Sequence, residues 1–276
     1  MIINIGKHGG PIVWDGVYYF SPSGYPRLTD WELRKIIMFN AYEAAHGRQT
    51  ELVCEDADVL DTVSRALKDP TPYLSARRPT FLTECTACKH GGCLTDYLCH
   101  TTNAAGAKGI FTSGEIMSAV RARGKTGAEL AREPRNAAKD PPDIFDYVMF
   151  TWGNCIAGDR LVTERAINEN ADGEYRFPDE RDEGELFKPG VRFYFKTETI
   201  EGHADYVDDG YHPARVKDGV GIDEYLCCCV IPGALKAELE NVIPDRLAGR
   251  VVYVDNDCDG IWDWALKVYE TVAGDY

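Results

Sequence analysis

The stretch Asp96-Tyr-Leu-Cys-His-Thr-Thr-Asn103 decides the fold, because it predicts the strand around which the larger part of the chain is arranged. An apolar run ends here in a polar cluster, and an apolar-periodic segment from Ala104 to Thr112, closed by Gly114, follows it. That order is typical of a strand, a turn, a helix and its C-cap. His100 and Thr102 alternate on one face of the strand. They are either ligand-orienting side chains, or a core histidine and a helix N-cap.

Composition indicates a globular protein. The chain has 276 residues, of which 44% are hydrophobic and 11% aromatic, enough for one large domain or two small ones. No window approaches the roughly 20 apolar residues of a membrane span, and the N-terminus lacks the features of a secretory signal. We therefore expect a cytoplasmic protein without a membrane partner. In that reducing compartment the 10 cysteines are expected to be thiols or metal ligands in preference to disulfides.

The charge of the chain is negative overall but uneven along the sequence. With 30 basic and 45 acidic side chains, the formal net charge is −15, which repels a nucleic-acid backbone at long range. Residues 117–139 are an exception, with six basic and two acidic side chains. This basic stretch is either a solvated helix face or a clamp for an anion such as pyrophosphate.

The first third of the chain predicts a small α/β unit. Short strands within residues 2–20 are followed by two amphipathic helices with a strand between them. Three prolines between residues 70 and 79 then mark a boundary. We therefore expect a small N-terminal α/β unit at residues 1–84 and a main domain at residues 85–276.

The final third alternates strand signals with turns. Residues 216–220 predict a strand with a Lys-Asp-Gly interruption, and residues 227–229 are three cysteines in an apolar run. Consecutive strand residues point to opposite faces, so these cysteines are expected in the core and not on one metal. Trp262 and Trp264 are expected to anchor a C-terminal helix by burial. Many short strands with intervening helices predict an α+β domain on a curved, mainly antiparallel sheet.

A cysteine-rich stretch precedes the strand of His100. Cys85, Cys88 and Cys93, with His90 among them, are candidate zinc ligands. A zinc ribbon has its second ligand pair on a separate tight turn, whereas these candidates crowd into a single stretch. We therefore expect reduced thiols in a loop and no zinc cofactor.

Several segments of the main domain together carry a resemblance to a known family. They are His100-x-Thr102, the helix reaching Gly114, Arg132 and Arg135, Asp146-Tyr-Val-Met-Phe-Thr-Trp-Gly-Asn154, and Glu224-Tyr-Leu-Cys-Cys-Cys-Val-Ile-Pro232. In this order, within residues 96–255, they resemble the DarT-like ADP-ribosyltransferases, toxins that move ADP-ribose from NAD onto bases of single-stranded DNA. The resemblance implies the ADP-ribosyltransferase fold, NAD as co-substrate and a glycosyltransferase-class reaction.

The resemblance also implies roles for the matching residues. Glu224 would be catalytic, because a carboxylate stabilises an oxocarbenium-like centre and helps to deprotonate the acceptor. Its other interpretations are an exposed strand-edge glutamate, or a partner for Arg215 or Lys217. The residues that would bind NAD are His100, Thr102, Asn103, Arg132, Arg135 and Tyr147, and those that would face the acceptor are Trp152, Asn154 and His212.

The acceptor and the activity have alternatives. The aromatic and Arg-Pro sequence of the family is replaced here by Thr151-Trp-Gly-Asn-Cys-Ile156, which leaves the acceptor open between a nucleic-acid base and a protein side chain. An antitoxin or regulator is a further candidate partner. The alternatives to an active transferase are an inactive nucleotide- or partner-binding module on the same fold, and a zinc-dependent interaction protein centred on Cys85, Cys88 and Cys93.

Overall fold

The computed structural model describes residues 1–8, 12–78, 96–134, 136, 139–169, 175–184 and 186–275. The chain forms two compact units that are not contiguous in sequence. The first combines residues 1–80, 125–145 and 207–215, and the second combines residues 81–124, 146–206 and 216–276. The structure therefore differs from the expected domain at residues 1–84 by two later segments that belong to the first unit.

The first unit contains a four-stranded sheet and two long helices. Its main elements are β1 (Ile2–Ile5), β2 (Ile12–Trp14), β3 (Val17–Phe20), α1 (Asp30–Ala45), β4 (Glu51–Cys54) and α2 (Ala57–Lys68). The strand order is β2-β3-β1-β4, with β1 parallel to both β3 and β4, and β2 antiparallel to β3. This is the α/β unit that the sequence predicts.

Local sequence explains where the elements of the first unit turn and begin. Asp15 and Gly16 join β2 to β3 and both have positive φ, 47° and 82°, as a two-residue hairpin turn requires. Thr29 caps α1 in a capping box with Glu32, which satisfies backbone N–H groups at the helix start. Inward-facing strand residues and the apolar faces of both helices then form one core.

The remaining elements follow in chain order; α5 belongs to the first unit, and β9 and β10 each have residues in both units. They are β5 (Tyr97–Thr102), α3 (Ala104–Ser113), β6 (Glu115–Met117), α4 (Ala119–Arg123), α5 (Gly127–Leu130), β7 (Tyr147–Trp152), α6 (Ala157–Asn168), α7 (Glu180–Gly184), β8 (Val191–Lys196), α8 (Thr197–Glu201), β9 (Tyr206–Val207), β10 (Ala214–Lys217), β11 (Gly219–Gly221), α9 (Ile222–Tyr225), β12 (Leu226–Pro232), α10 (Lys236–Leu239), β13 (Val251–Val254) and α11 (Ile261–Asp275).

The second unit is organised by a seven-stranded mixed sheet. The strand order is β13-β12-β8-β5-β7-β10-β9, which places β5 at the centre. β5 is antiparallel to β7 and β8, and β12 is antiparallel to β8 but parallel to β13. β6 and β11 form a separate antiparallel pair. The α+β class is therefore confirmed, with a large mixed sheet.

Three expectations about the final third can now be judged. Cys228 and Cys229 are buried in β12, which confirms them as core residues, whereas Cys227 is only half-buried. The segment 216–220 is divided between β10 and β11 by Asp218, whose φ is 63°. Trp264 is fully buried, whereas Trp262 is 69% exposed, so the expectation that both anchor α11 was wrong for Trp262. The two residues lie on different sides of the helix, and only the side of Trp264 faces the core.

No helix within the described ranges combines the length and the apolar character that crossing a membrane requires.

Candidate functional site

The sheet register places His100 and Thr102 in the middle of the second unit. Both lie on β5, His100 opposite Phe193 and Thr102 opposite Val191 on β8. Because they are two residues apart, their side chains share one face of the sheet. On that face the His100 ring lies 6.3 Å from the Phe150 ring in an edge contact.

The hydrogen bond of His100 fixes its tautomer. Nδ1 lies 3.3 Å from the carbonyl oxygen of Met149, and because a carbonyl only accepts, Nδ1 carries the proton and donates. Burial lowers the pKa of His100 to about 4, so the ring is neutral at pH 7. Nε2 is then an acceptor, suited to a hydroxyl donor such as that of a ribose.

Thr102 and Asn103 connect this face to the start of α3. Thr102 is 7% exposed, and a Cβ on Gly106 would lie only 2.1 Å from its Oγ1. The helix N-cap is Asn103, whose Oδ1 accepts the Gly106 N–H at 2.9 Å, so the alternative interpretation of Thr102 as the cap was wrong. Since only the Asn103 oxygen is used in the cap, its amide NH₂ remains a donor for a ligand.

Glu224 lies at a different end of the same sheet. It is an exposed residue of α9, immediately before β12. In the register, Leu226 pairs with Phe195 on β8, and Phe195 pairs with Leu98 on β5. Glu224 is therefore level with the first half of β5, whereas Thr102 is its last residue. The phenol of Tyr225 has a raised pKa, through burial and a hydrogen bond to Glu224.

The strand geometry gives the approximate separation of these groups. From Leu98 to Thr102 the backbone advances about 13 Å, and from β5 to β12 two inter-strand spacings add about 10 Å sideways. His100 lies between the two ends. The imidazole, the hydroxyl and the carboxylate therefore do not meet around one ribose.

The two aromatic candidates of β7 lie on opposite faces. Trp152 pairs with Leu98, so it shares the face of His100 and lies toward the end of Glu224. Tyr147 is five residues earlier on the same strand and so points to the other face. The structure thus brings Trp152, and not Tyr147, to the side of His100. Asn154 is half-buried, two residues beyond β7.

Two other candidates, Arg132 and His212, are not in the strands of this sheet. Arg132 is an exposed residue of the first unit, and Arg135 lies outside the described residues. His212, also in the first unit, is held by the buried Asp209: its Nδ1 lies 2.8 Å from Oδ2, and its backbone N–H donates to Oδ1. Burial lowers the pKa of His212. His212 is therefore held within its own loop by two bonds to Asp209.

Three basic side chains of the basic stretch pair with acidic side chains. Arg121 pairs with Glu115, Lys125 with Glu133, and Lys139 with Asp15. These pairs are partly exposed, and such contacts match the interpretation of the stretch as a solvated surface.

The cysteine candidates cannot be placed. Cys85, Cys88 and Cys93 lie outside the described residues. Within the described ranges, no three His, Cys, Asp or Glu side chains converge in a way that could hold a metal ion.

An acidic loop before α11 was missed by the sequence analysis. Asp255, Asp257 and Asp259 alternate and are followed by Gly260, the spacing with which calcium loops begin. The ammonium of Lys267 instead lies 2.8 Å from the Asp255 carbonyl and 2.6 Å from an Asp257 carboxylate oxygen. An internal cation therefore offsets part of the negative charge of this loop.

A buried ion pair behind β5 was also missed. Arg192 on β8 and Asp159 on α6 are both fully buried and form a salt bridge. Asp159 also accepts the Gly190 N–H at 2.9 Å and the Trp264 Nε1–H at 3.2 Å. The pair ties α6, β8 and α11 together on the face opposite His100, because Arg192 pairs with Thr101.

Comparison of the chain with family models, curated proteins and solved structures finds no match in any of the three.

Proposed function

We propose that the chain is an NAD-dependent ADP-ribosyltransferase that moves ADP-ribose to a macromolecular acceptor, either a nucleic-acid base or a protein side chain. The observation that carries the proposal is the neutral His100 at the centre of the sheet, with Nδ1 held by Met149 and Nε2 left as an acceptor. A fixed acceptor on a rigid strand is what orienting a ribose hydroxyl requires.

The order of the groups along the sheet supports an extended dinucleotide. Thr102 and the amide of Asn103 would contact the adenosine side, His100 a ribose, and Trp152 the nicotinamide ring, by stacking. Glu224 lies at the same end of the sheet as Trp152, where the bond between nicotinamide and ribose would be broken.

Glu224 would supply the chemistry at that end. As the bond to nicotinamide lengthens, positive charge develops on the ribose, and a carboxylate stabilises it electrostatically. The same carboxylate then accepts the proton of the attacking acceptor. Exposure of Glu224 is compatible with this role, since a macromolecular acceptor has to reach it.

The proposal is tested first by binding. Isothermal titration of NAD into the wild-type protein and into His100→Ala should show a loss of affinity of about tenfold, the equivalent of one hydrogen bond. Thr102→Val keeps the side-chain shape and should weaken ADP-ribose and NAD equally. Glu198→Gln, an exposed acid on α8, is the control and should bind NAD as the wild type does. Equal affinity of wild type and His100→Ala would contradict the proposal.

A further inference from the structure

Exposed apolar side chains are concentrated on three segments of the second unit. Trp262 and Leu266 are 69% and 43% exposed and lie one helical turn apart on α11, so they form one surface. Leu161 on α6 and Leu186 after α7 are 51% and 46% exposed. These four residues are referred to below as the apolar patch.

The three segments that carry the apolar patch are in contact with one another. Arg160, next to Leu161, pairs with Glu183 of α7 at 2.5 Å. A Cβ on Gly260, just before α11, would lie 3.1 Å from the carbonyl oxygen of Glu183. α6 and α11 are joined directly by the bond from Trp264 to Asp159. The segments that carry the four side chains are therefore neighbours within the second unit, and Trp262 and Leu266 form the part of the patch that lies on one helix.

The surroundings of the apolar patch are acidic. Residues 177–184 carry four acidic side chains and one basic, and residues 255–263 carry four acidic and no basic side chains. Ion pairs engage some of these acids, such as Asp182 with Arg176 and Asp257 with Lys267. Others form no ion pair in the part of the chain that the structure describes; they are Glu180, Asp259 and Asp263.

Large exposed apolar surfaces with a polar rim mark interaction sites, and tryptophan is enriched among the residues that dominate binding energy. We infer that the apolar patch is a docking site for a basic, amphipathic segment of a partner protein. Its Leu- or Phe-type side chains would cover Trp262 and Leu266, and its Lys and Arg side chains would meet the acidic rim.

Charge argues against the other occupants. A second copy of the chain would bring the same acidic rim against itself in a two-fold dimer. An anionic membrane surface and a nucleic acid would both be repelled by that rim and by the net charge of −15. A basic protein segment has the complementary charge, which also raises the rate of association.

The test uses the full chain and two labelled synthetic peptides of 14 residues, one built from Leu and Lys and the other from Leu and Glu in the same amphipathic order. Fluorescence anisotropy should show binding of the Leu/Lys peptide to the wild type, and at least tenfold weaker binding to the double variant Trp262→Ser, Leu266→Ser. The matched control is Val53→Ser, Leu74→Ser, which removes two exposed apolar side chains of the first unit, 40% and 48% exposed. It should bind like the wild type.

Four outcomes would decide against the inference. Equal binding by the wild type and the Trp262, Leu266 variant, or equal binding of the Leu/Glu peptide, would overturn it. A dimer in sedimentation that the double variant abolishes would assign the apolar patch to a second copy. Patch-dependent binding to vesicles containing phosphatidylserine would assign it to a membrane. Unchanged thermal unfolding of the double variant shows that the readout reports docking and not folding.

Discussion

Replacing Asp159 by alanine should destabilise the second unit more than any exposed substitution. Asp159 and Arg192 are both fully buried, so the variant leaves a guanidinium charge in the core without its counter-charge. Breaking a buried pair in this way costs about 3–5 kcal/mol. It also removes the acceptor of the Gly190 and Trp264 N–H groups.

Thermal unfolding followed by calorimetry measures this cost. For a unit of this size, each kcal/mol lowers Tm by about 2–4 °C, so the transition of the second unit should fall by about 6–20 °C. The matched control is Glu238→Ala, which breaks the pair of Lys108 and Glu238, 43% and 46% exposed. That loss should stay below about 1 kcal/mol.

A second variant separates charge from packing. Replacing both partners by apolar residues, as in Asp159→Leu with Arg192→Met, removes the uncompensated charge and should recover much of the lost stability. If Asp159→Ala unfolds at the temperature of Glu238→Ala, the argument that this pair holds α6, β8 and α11 together is refuted.

Three further predictions concern protonation, backbone conformation and an exposed pair. The pKa of His100 is about 4 in the folded state and about 6.5 when unfolded, so the unfolded chain binds the proton first as the pH falls. The free energy of unfolding should therefore fall between pH 6.5 and pH 4, by at most about 1.4 kcal/mol per pH unit. In urea titrations, His100→Gln should remove this contribution to the pH dependence. Gly210→Ala should destabilise the first unit severely, because φ is +70° and the new Cβ would lie 2.0 Å from the carbonyl oxygen of Lys35. Gly124→Ala is the control: its φ is +61°, but no atom lies near the new Cβ, so the free energy of unfolding should fall by only about 1 kcal/mol. Lys267→Met should leave chemical unfolding nearly unchanged, because the pair of Lys267 with Asp257 is exposed. A clear loss of stability would show that the ammonium holds the acidic loop in place.

Local patterns in the sequence were sufficient to predict the elements around His100. The apolar run before it, the polar turn and Gly114 correctly give β5, α3 and a C-cap with φ 76°. These features depend on neighbours within a few residues, so the sequence carries them directly.

The arrangement of distant segments was not predictable in the same way. Residues 125–145 and 207–215 join the first unit through contacts such as that of Arg48 with Asp143 and of Tyr18 with Gly210. No periodic pattern in the sequence predicts such pairings. The pair of Arg192 and Asp159 was not predictable either, because the sequence does not show which charged residues are buried next to each other.

The sequence predicts which neighbouring residues share a strand face, but it does not predict how far apart the distant candidate residues lie. The alternation along β5 gives the shared face of His100 and Thr102. The distance of Glu224 from them depends on the register through β8, and the separation of Tyr147 from Trp152 depends on where β7 begins. Strand registers are set by the whole sheet, so the sequence alone does not give these distances.

The most direct test of ADP-ribosyl transfer is nicotinamide release from NAD by the wild type and by Glu224→Gln. Separate pools of single-stranded DNA, RNA and protein serve as acceptors. We predict that ADP-ribose label enters one pool. Glu224→Gln should release nicotinamide at least about a hundredfold more slowly than the wild type while still binding NAD. Equal release by both proteins, or no release with any pool, would contradict it.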